Sequence, residues 1–124
     1  MSKILWAEDE ESDQELILEA LRHLPYRHQA DFVADGVDLL ARLESESPGL
    51  IVLDLGMPRM GGLETLGKIR SGPRRRIPVV VFTGHDDSAE AKECLRLGAR
   101  DVVQKPTDFN EFRSAVQRIV QYTA

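Results

Sequence analysis

The sequence predicts an α/β domain in which a doubly wound, parallel five-stranded sheet is covered by helices on both faces. Two observations carry this prediction. The chain has five short apolar runs, and these runs alternate with five longer stretches in which apolar residues recur every three or four positions. Strands that alternate with helices in this way form parallel sheets that are buried on both faces. We therefore expect one domain over residues 1–124, a (βα)5 unit with right-handed crossovers.

The predicted strands differ in how strongly their composition favours β-structure. Residues 79–82 (Val-Val-Val-Phe) form the most strand-like run, whereas polar residues interleave 30–34, as in an edge strand. The run at 50–55 has turn-forming residues on both sides, Pro48-Gly49 before it and Gly56 and Pro58 after it, which indicates a buried strand. The full set of strands is 4–7, 30–34, 50–55, 79–82 and 101–104.

Each predicted helix shows one apolar face. Ser12 and Glu15 have the spacing of a capping box at the start of the first helix, Gly98 is expected to end the fourth, and Asp108 is expected to cap the fifth. The five faces, in chain order, are Leu16, Ile17, Ala20, Leu21 and Leu24; Val37, Leu40 and Leu43; Leu63, Leu66 and Ile69; Ala91, Cys94 and Leu95; and Phe109, Phe112, Val116, Ile119 and Val120.

Composition and charge narrow the class of protein. A hydrophobic content of 42% and a charged content of 30% are ordinary for a globular domain, and a net charge of −5 argues against direct binding to nucleic acid. The chain shows no run long enough to span a membrane and no signal peptide, and Cys94 is its single cysteine. We therefore expect a cytoplasmic domain without a membrane partner.

Polar side chains follow four of the predicted strands, at the point where each strand ends. Glu8 and Asp9 follow the first strand, Asp54 lies at the end of the third, Thr83 follows the fourth, and Lys105 follows the fifth. Because the carboxyl ends of parallel strands share one edge, and open α/β sheets bind ligands there, we expect these side chains to converge.

The residue types in this set fit phosphoryl chemistry. Close carboxylates repel one another unless a cation lies among them, and oxygen ligands favour Mg²⁺ (or Mn²⁺) over zinc or copper. An aspartate can attack phosphorus to give an aspartyl phosphate. The metal and the Lys105 ammonium can then neutralise the phosphoryl charge, and the Thr83 hydroxyl can donate to a phosphoryl oxygen. The set therefore predicts an acyl phosphate at Asp54.

Four ordered motifs resemble those of bacterial response-regulator receiver domains, in particular the single-domain type related to chemotaxis regulators. Residues 51–62 are similar to the phosphoacceptor segment of that family, Glu8-Asp9 to its acidic pair, 78–83 to its threonine strand, and Lys105-Pro106 to its lysine-proline pair. The resemblance covers the whole chain. It implies a flavodoxin-like sheet of order 2-1-3-4-5.

The resemblance also implies roles for individual residues. Asp54 would receive a phosphoryl group from a histidine kinase or a histidine phosphotransfer protein. Asp9, Asp54 and the carbonyl of Gly56 would bind Mg²⁺ directly, with Glu8 just outside them. The domain would catalyse only its own phosphorylation and dephosphorylation, and the Lys105–Pro106 peptide bond would be cis.

The implied output is a change in a binding surface. Phosphorylation would switch the face built from the fourth helix, the fifth strand and the fifth helix, and so alter the binding of a downstream protein target. The domain would be a monomer or a phosphorylation-dependent dimer.

Several positions depart from the family pattern. Val102 occupies the place of an aromatic switch residue, so an inward-swinging aromatic relay is not expected. Gly56 and His85 lie two residues after Asp54 and Thr83, where family members vary the phosphoryl lifetime, and His85 is a candidate for gating water. Gly61 replaces a frequent Asp. Thr107 replaces a frequent Phe after Pro106, as in members that resemble those working with phytochrome-type kinases.

Two other functions remain open at this point. An aspartate-nucleophile phosphohydrolase uses similar residue types, but it needs a second carboxylate two residues after the nucleophile, where this chain has Gly56. A protein-interaction domain that is never phosphorylated would not need the acceptor site. Outside the site, we expect Cys94 and Trp6 to pack in the core, and the basic cluster Arg70, Arg74, Arg75 and Arg76 to form a solvated loop.

Overall fold

The computed structural model describes residues 2–25, 27–84 and 88–124, in which strands and helices alternate. The elements are β1 (Ser2–Ala7), α1 (Glu11–Arg22), β2 (His28–Val33), α2 (Gly36–Arg42), β3 (Leu50–Leu53), α3 (Gly62–Arg70), β4 (Val79–Thr83), α4 (Ser88–Arg96), β5 (Asp101–Gln104) and α5 (Phe109–Val120). All five predicted strands and all five predicted helices are present. Among the described residues, no helix combines the length and apolarity needed to cross a bilayer.

The strands form one parallel sheet in the order β2-β1-β3-β4-β5. This order confirms the flavodoxin-like topology, and β2 lies at an edge, as its interleaved polar residues indicated. The register pairs Ala7 with Leu53, Leu53 with Val81, and Phe82 with Val103. Four neighbouring strands, β1, β3, β4 and β5, therefore end close together at one edge of the sheet.

Two apolar layers enclose the sheet. Alternate residues of each inner strand face opposite layers, so that Trp6 and Val52 contribute to one layer while Leu5 and Leu53 contribute to the other. Helices α1 and α5 cover the first layer, and α2, α3 and α4 cover the second. Both β3 and β4 are buried along their whole length, because they lie inside the sheet and are covered on both faces.

The start of α1 differs from the prediction. Its N-cap is Glu10, which makes no side-chain capping bond, so the capping box at Ser12 and Glu15 was wrong. The turn before the helix is held instead by Glu8, whose carbonyl accepts a hydrogen bond from Gln14 Nε2 at 2.7 Å. The side chain of Glu8 also accepts from the Glu10 N–H, at 3.1 Å.

Some predicted helix-face residues are exposed because neighbouring residues on a helix cannot all point to the core. In α2, Leu39 is fully buried, while Val37, two residues earlier and on the other side of the helix, is 38% exposed. Leu16 in α1 and Leu95 in α4 are exposed for the same reason, since Ile17 and Cys94 beside them point inward.

Other local predictions are confirmed. Gly98 follows α4 with a φ of 102°, a left-handed conformation that favours glycine, and Asp108 caps α5 by accepting the Glu111 N–H at 3.0 Å. Trp6 and Cys94 are buried in the core. Burial raises the pKa of the Cys94 thiol to about 11, which is typical of a packing residue rather than a reactive one.

The basic cluster is only partly a solvated loop. Arg75 and Arg76 are exposed, as expected. Arg70, however, donates to the carbonyls of Ile77 and Gly98 at 3.0 and 3.1 Å, and Arg74 donates to the carbonyl of Leu43 at 3.0 Å. These two arginines therefore hold backbone segments together, a role that depends on tertiary contacts.

Candidate functional site

The predicted site residues converge at the carboxyl edge of the sheet. A cleft at this edge is lined by Asp54, Gly56 and Lys105, together with Glu10, Asp13 and Gly84. The parallel register explains the convergence, because β1, β3, β4 and β5 are neighbours and end at similar heights.

Asp54 is a buried carboxylate with both oxygens engaged. One oxygen, Oδ1, accepts from the Thr83 hydroxyl at 3.0 Å and from the Gly56 N–H at 3.1 Å, and the other, Oδ2, accepts from Lys105 Nζ at 2.9 Å. Burial acts to raise the pKa of Asp54, but the hydrogen bond from Lys105 opposes it and the net pKa is lowered. Asp54 is therefore an ionised, oriented carboxylate although it is only 8% exposed.

Three acidic residues form a compact oxygen cluster beside this carboxylate. Glu8, Asp9 and Asp54 each offer an oxygen within 4.8 Å of the others. Glu8 is 3% exposed, and burial raises its pKa although Lys105 opposes the shift. A divalent cation fits this donor set, because it consists of hard oxygen ligands whose mutual repulsion a cation relieves.

Lys105 is the counter-charge of the site. Its Nζ donates to Glu8 Oε1 at 2.5 Å, to Asp13 Oδ2 at 2.8 Å and to Asp54 Oδ2 at 2.9 Å, and its side chain is 10% exposed. Burial on its own lowers the pKa of Lys105, but the three carboxylates outweigh burial and raise it. The ammonium is therefore firmly charged. It also lies 6.0 Å from the centre of the Phe82 ring.

Asp13 is a site residue that sequence reasoning missed. It lies in the first turn of α1, whereas Asp9 precedes the helix. No local pattern in the sequence pointed to this role, because Asp13 and Lys105 are 92 residues apart in the chain and meet only in the fold.

Three further predictions meet different outcomes. The Lys105–Pro106 peptide bond is trans, so the cis prediction was wrong; trans is the more stable form even before proline. Val102 is half-buried and packs against the layer beneath α2, α3 and α4. The predicted water-gating role of His85 lies outside the described residues.

The loop that follows Asp54 is tightly constrained. A Cβ on Gly62 would lie 2.6 Å from the carbonyl oxygen of Asp54, so only glycine allows this approach of α3 to the strand end. Arg59 adopts a left-handed φ of 60°, and its guanidinium donates to Asp35 Oδ2 at 2.5 Å and to Asp38 Oδ1 at 3.1 Å. These contacts fix the loop that carries Gly56 beside Asp54.

Comparison with known proteins gives a consistent result. Residues 4–117 match the model of the response regulator receiver domain. The transcriptional regulatory protein CrdR of Helicobacter pylori is 33% identical over 116 residues, which are 94% of this chain and 54% of that protein. The chain thus spans between a quarter and about half of the length of the curated relatives it matches.

Solved structures agree. The phosphorylated cyanobacterial phytochrome response regulator RcpA superposes with a TM-score of 0.90 at 30% identity, covering 98% of this chain and 93% of that one. The Mn²⁺-bound form of response regulator Rcp1 gives 0.88 at 30% identity, covering 96% and 91%. The chain therefore belongs to the response regulator receiver domains, the phosphoacceptor modules of two-component signalling.

Proposed function

We propose that Asp54 is the phosphoacceptor of this receiver domain. The observation that carries the proposal is the position of its ionised carboxylate, between the Thr83 hydroxyl and the Lys105 ammonium and inside the acidic cluster. No other carboxylate of the described site combines these neighbours. Glu8 contacts Lys105 but has a raised pKa, and Asp9 is exposed.

In the proposed reaction, a phosphoryl group is transferred from a donor nitrogen to an oxygen of Asp54. One oxygen of Asp54 attacks the phosphorus of a phosphohistidine, in a histidine kinase or a histidine phosphotransfer protein, or of a small phosphodonor. The O–P bond forms as the N–P bond breaks, and the imidazole nitrogen leaves with the electron pair. The lowered pKa of Asp54 supports this role, because it keeps the carboxylate ionised.

Glu8, Asp9, Asp54 and the carbonyl of Gly56 would hold a divalent cation, Mg²⁺ or Mn²⁺. When bound, the cation supplies positive charge that offsets the carboxylates and the phosphoryl oxygens. The compact oxygen cluster supports this assignment, and the Mn²⁺-bound relative Rcp1 is consistent with it.

Thr83 and Lys105 would stabilise the transferred group. Both already donate to the oxygens of Asp54, so small movements would bring the hydroxyl and the ammonium to phosphoryl oxygens. The domain would in this way catalyse its own phosphorylation and dephosphorylation, without acting on a separate substrate. A phosphohydrolase is not favoured, because Gly56 offers no general acid two residues after the nucleophile.

The output surface belongs to the same proposal. Phosphorylation would change the face formed by α4, β5 and α5, and a downstream protein target, or a second copy of the domain, would bind there. On α4, Leu95 is 49% exposed and would be available to such a partner. A cytoplasmic location is also proposed, and the buried free thiol of Cys94 is consistent with it.

The proposal is tested by incubating the protein with phosphoramidate, with and without Mg²⁺, and weighing it by mass spectrometry. We expect a gain of one phosphoryl group that requires Mg²⁺ and is absent in Asp54→Asn. A protein that stays unmodified at saturating Mg²⁺ would contradict the proposal. A phosphotransfer profile against candidate kinases would then identify the donor, beginning with phytochrome-type kinases because RcpA is a phytochrome response regulator.

A further inference from the structure

We propose that Asp13 is a positioning residue that holds the Lys105 ammonium at Asp54 while a divalent cation occupies the acidic cluster. The inference rests on the proposed function, since it assigns a task to Lys105 in phosphorylation. It adds a residue to the site that the phosphoryl chemistry itself does not require.

The Lys105 ammonium is held by three carboxylates. A lysine ammonium has three N–H donors, and within the described residues all three are directed to carboxylates that come from different elements. Glu8 follows β1, Asp54 follows β3, and Asp13 lies in α1. Because lysine is a flexible side chain, its position at the site depends on these acceptors.

The three carboxylates that accept hydrogen bonds from Lys105 are not equivalent. Glu8 and Asp54 belong to the acidic cluster, so a cation bound there competes with Lys105 for their oxygens. Asp13 does not belong to that cluster. Its bond to Lys105, at 2.8 Å, is therefore the contact that a cation leaves intact.

Asp13 is itself held in place by the packing of α1. Four residues later in α1, and on the same side of the helix, Ile17 is fully buried in the layer that α1 and α5 share. The side chain of Asp13 is only 20% exposed. A packed helix thus presents a carboxylate to the ammonium, and this gives Lys105 a fixed anchor.

The test compares phosphorylation rates with phosphoramidate at saturating Mg²⁺ in the unaltered protein, Asp13→Ala and Asp13→Asn. We expect Asp13→Ala to be slower by about tenfold, the size expected for one lost charge-assisted hydrogen bond, and Asp13→Asn to fall between, because its amide oxygen still accepts. Glu11→Gln is the matched control, since Glu11 is an exposed acid in the same helical turn and should keep the full rate.

A Lys105→Met background separates positioning from a general structural effect. If Asp13 acts through Lys105, then Asp13→Ala slows the unaltered protein but causes no further loss in Lys105→Met. A loss of the same size in both backgrounds would overturn the inference, as would an Asp13→Ala rate equal to that of Glu11→Gln.

A spectroscopic measurement does not depend on phosphorylation. In the Mg²⁺-loaded protein, we expect the ¹H–¹⁵N signal of the Lys105 ammonium to be sharp, to broaden or vanish in Asp13→Ala, and to persist in Glu11→Gln. An unchanged signal in Asp13→Ala would refute the anchor. Failure of the unaltered protein to accept a phosphoryl group would instead refute the proposed function. The Lys105 ammonium signal would still test whether Asp13 anchors Lys105.

Discussion

Removing the positive charge of Lys105 should destabilise the metal-free protein strongly. In Lys105→Met the side chain keeps a similar length and apolar stem, but the carboxylates of Glu8, Asp13 and Asp54 lose their shared partner. Two of them, Glu8 and Asp54, are 3% and 8% exposed, so water can replace the ammonium only in part. The substitution therefore leaves buried, uncompensated negative charges close together.

The magnitude follows from that burial. Breaking a buried ion pair by removing one partner costs about 3–5 kcal/mol, and we expect the lower end, about 3 kcal/mol, because Asp13 and Asp54 line a cleft and not a closed core. The sign of the pH dependence follows from the contact that is lost. Lys105 opposes the rise that burial causes in the pKa of Glu8, so this carboxyl has a higher folded pKa in the variant and favours the folded state more as pH falls. The deficit of Lys105→Met should therefore shrink as pH falls from 7 toward 5.

The assay is urea unfolding without metal, followed by the fluorescence of Trp6, which is buried and is the single tryptophan. A loss of about 3 kcal/mol lowers the urea midpoint by about 1–2 M. Lys92→Met, an exposed lysine on α4, is the matched control and should change stability by less than about 0.5 kcal/mol. Adding Mg²⁺ should restore part of the loss, because the cation replaces the missing charge. Equal midpoints for the two variants without metal would refute the reasoning.

Three further predictions concern the surroundings of the site. Gly62→Ala should destabilise the fold and abolish phosphorylation, because the added Cβ would lie 2.6 Å from the carbonyl oxygen of Asp54; a normal melting temperature and phosphorylation rate would contradict this. Asp35→Ala should cost about 1–2 kcal/mol in urea unfolding through loss of the α2 cap and the Arg59 ion pair, whereas Asp35→Asn should keep most of the cap. Cys94 should resist iodoacetamide in the folded protein and react in urea, since burial raises its pKa to about 11; rapid labelling without urea would disprove its burial.

The strands could be predicted well because their signals are local. Residues 79–82 were predicted as a strand, and β4 runs from Val79 to Thr83. A valine-rich run can be identified as a buried strand from its own composition, because such strands are apolar on both faces. The predicted strand 50–55 ends earlier, at Leu53. Leu55 is buried as predicted, but it packs from the loop, because the chain leaves the sheet where Asp54 turns its carboxylate to the Gly56 N–H.

The parts that escaped prediction depend on contacts between distant segments. Asp13 faces Lys105 only after α1 has packed on the sheet, and Arg70 reaches both of its carbonyl partners only when the loops after α3 and after α4 meet. The start of α1 was misjudged because Ser12 has the right spacing for a capping box, while Glu8 and Gln14 hold the turn in its place. The four sets of polar residues could be expected to converge because each set lies at the end of a strand, and parallel topology brings strand ends together.

The most direct test of the account is to identify the residue that carries the phosphoryl group. After reaction with phosphoramidate and Mg²⁺, borohydride reduction converts an aspartyl phosphate to homoserine, which peptide mass spectrometry can locate. We expect homoserine at position 54 and at no other aspartate, with none formed when Mg²⁺ is left out. Homoserine at Asp9 or Asp13, or a modification that forms equally well in Asp54→Asn, would contradict it.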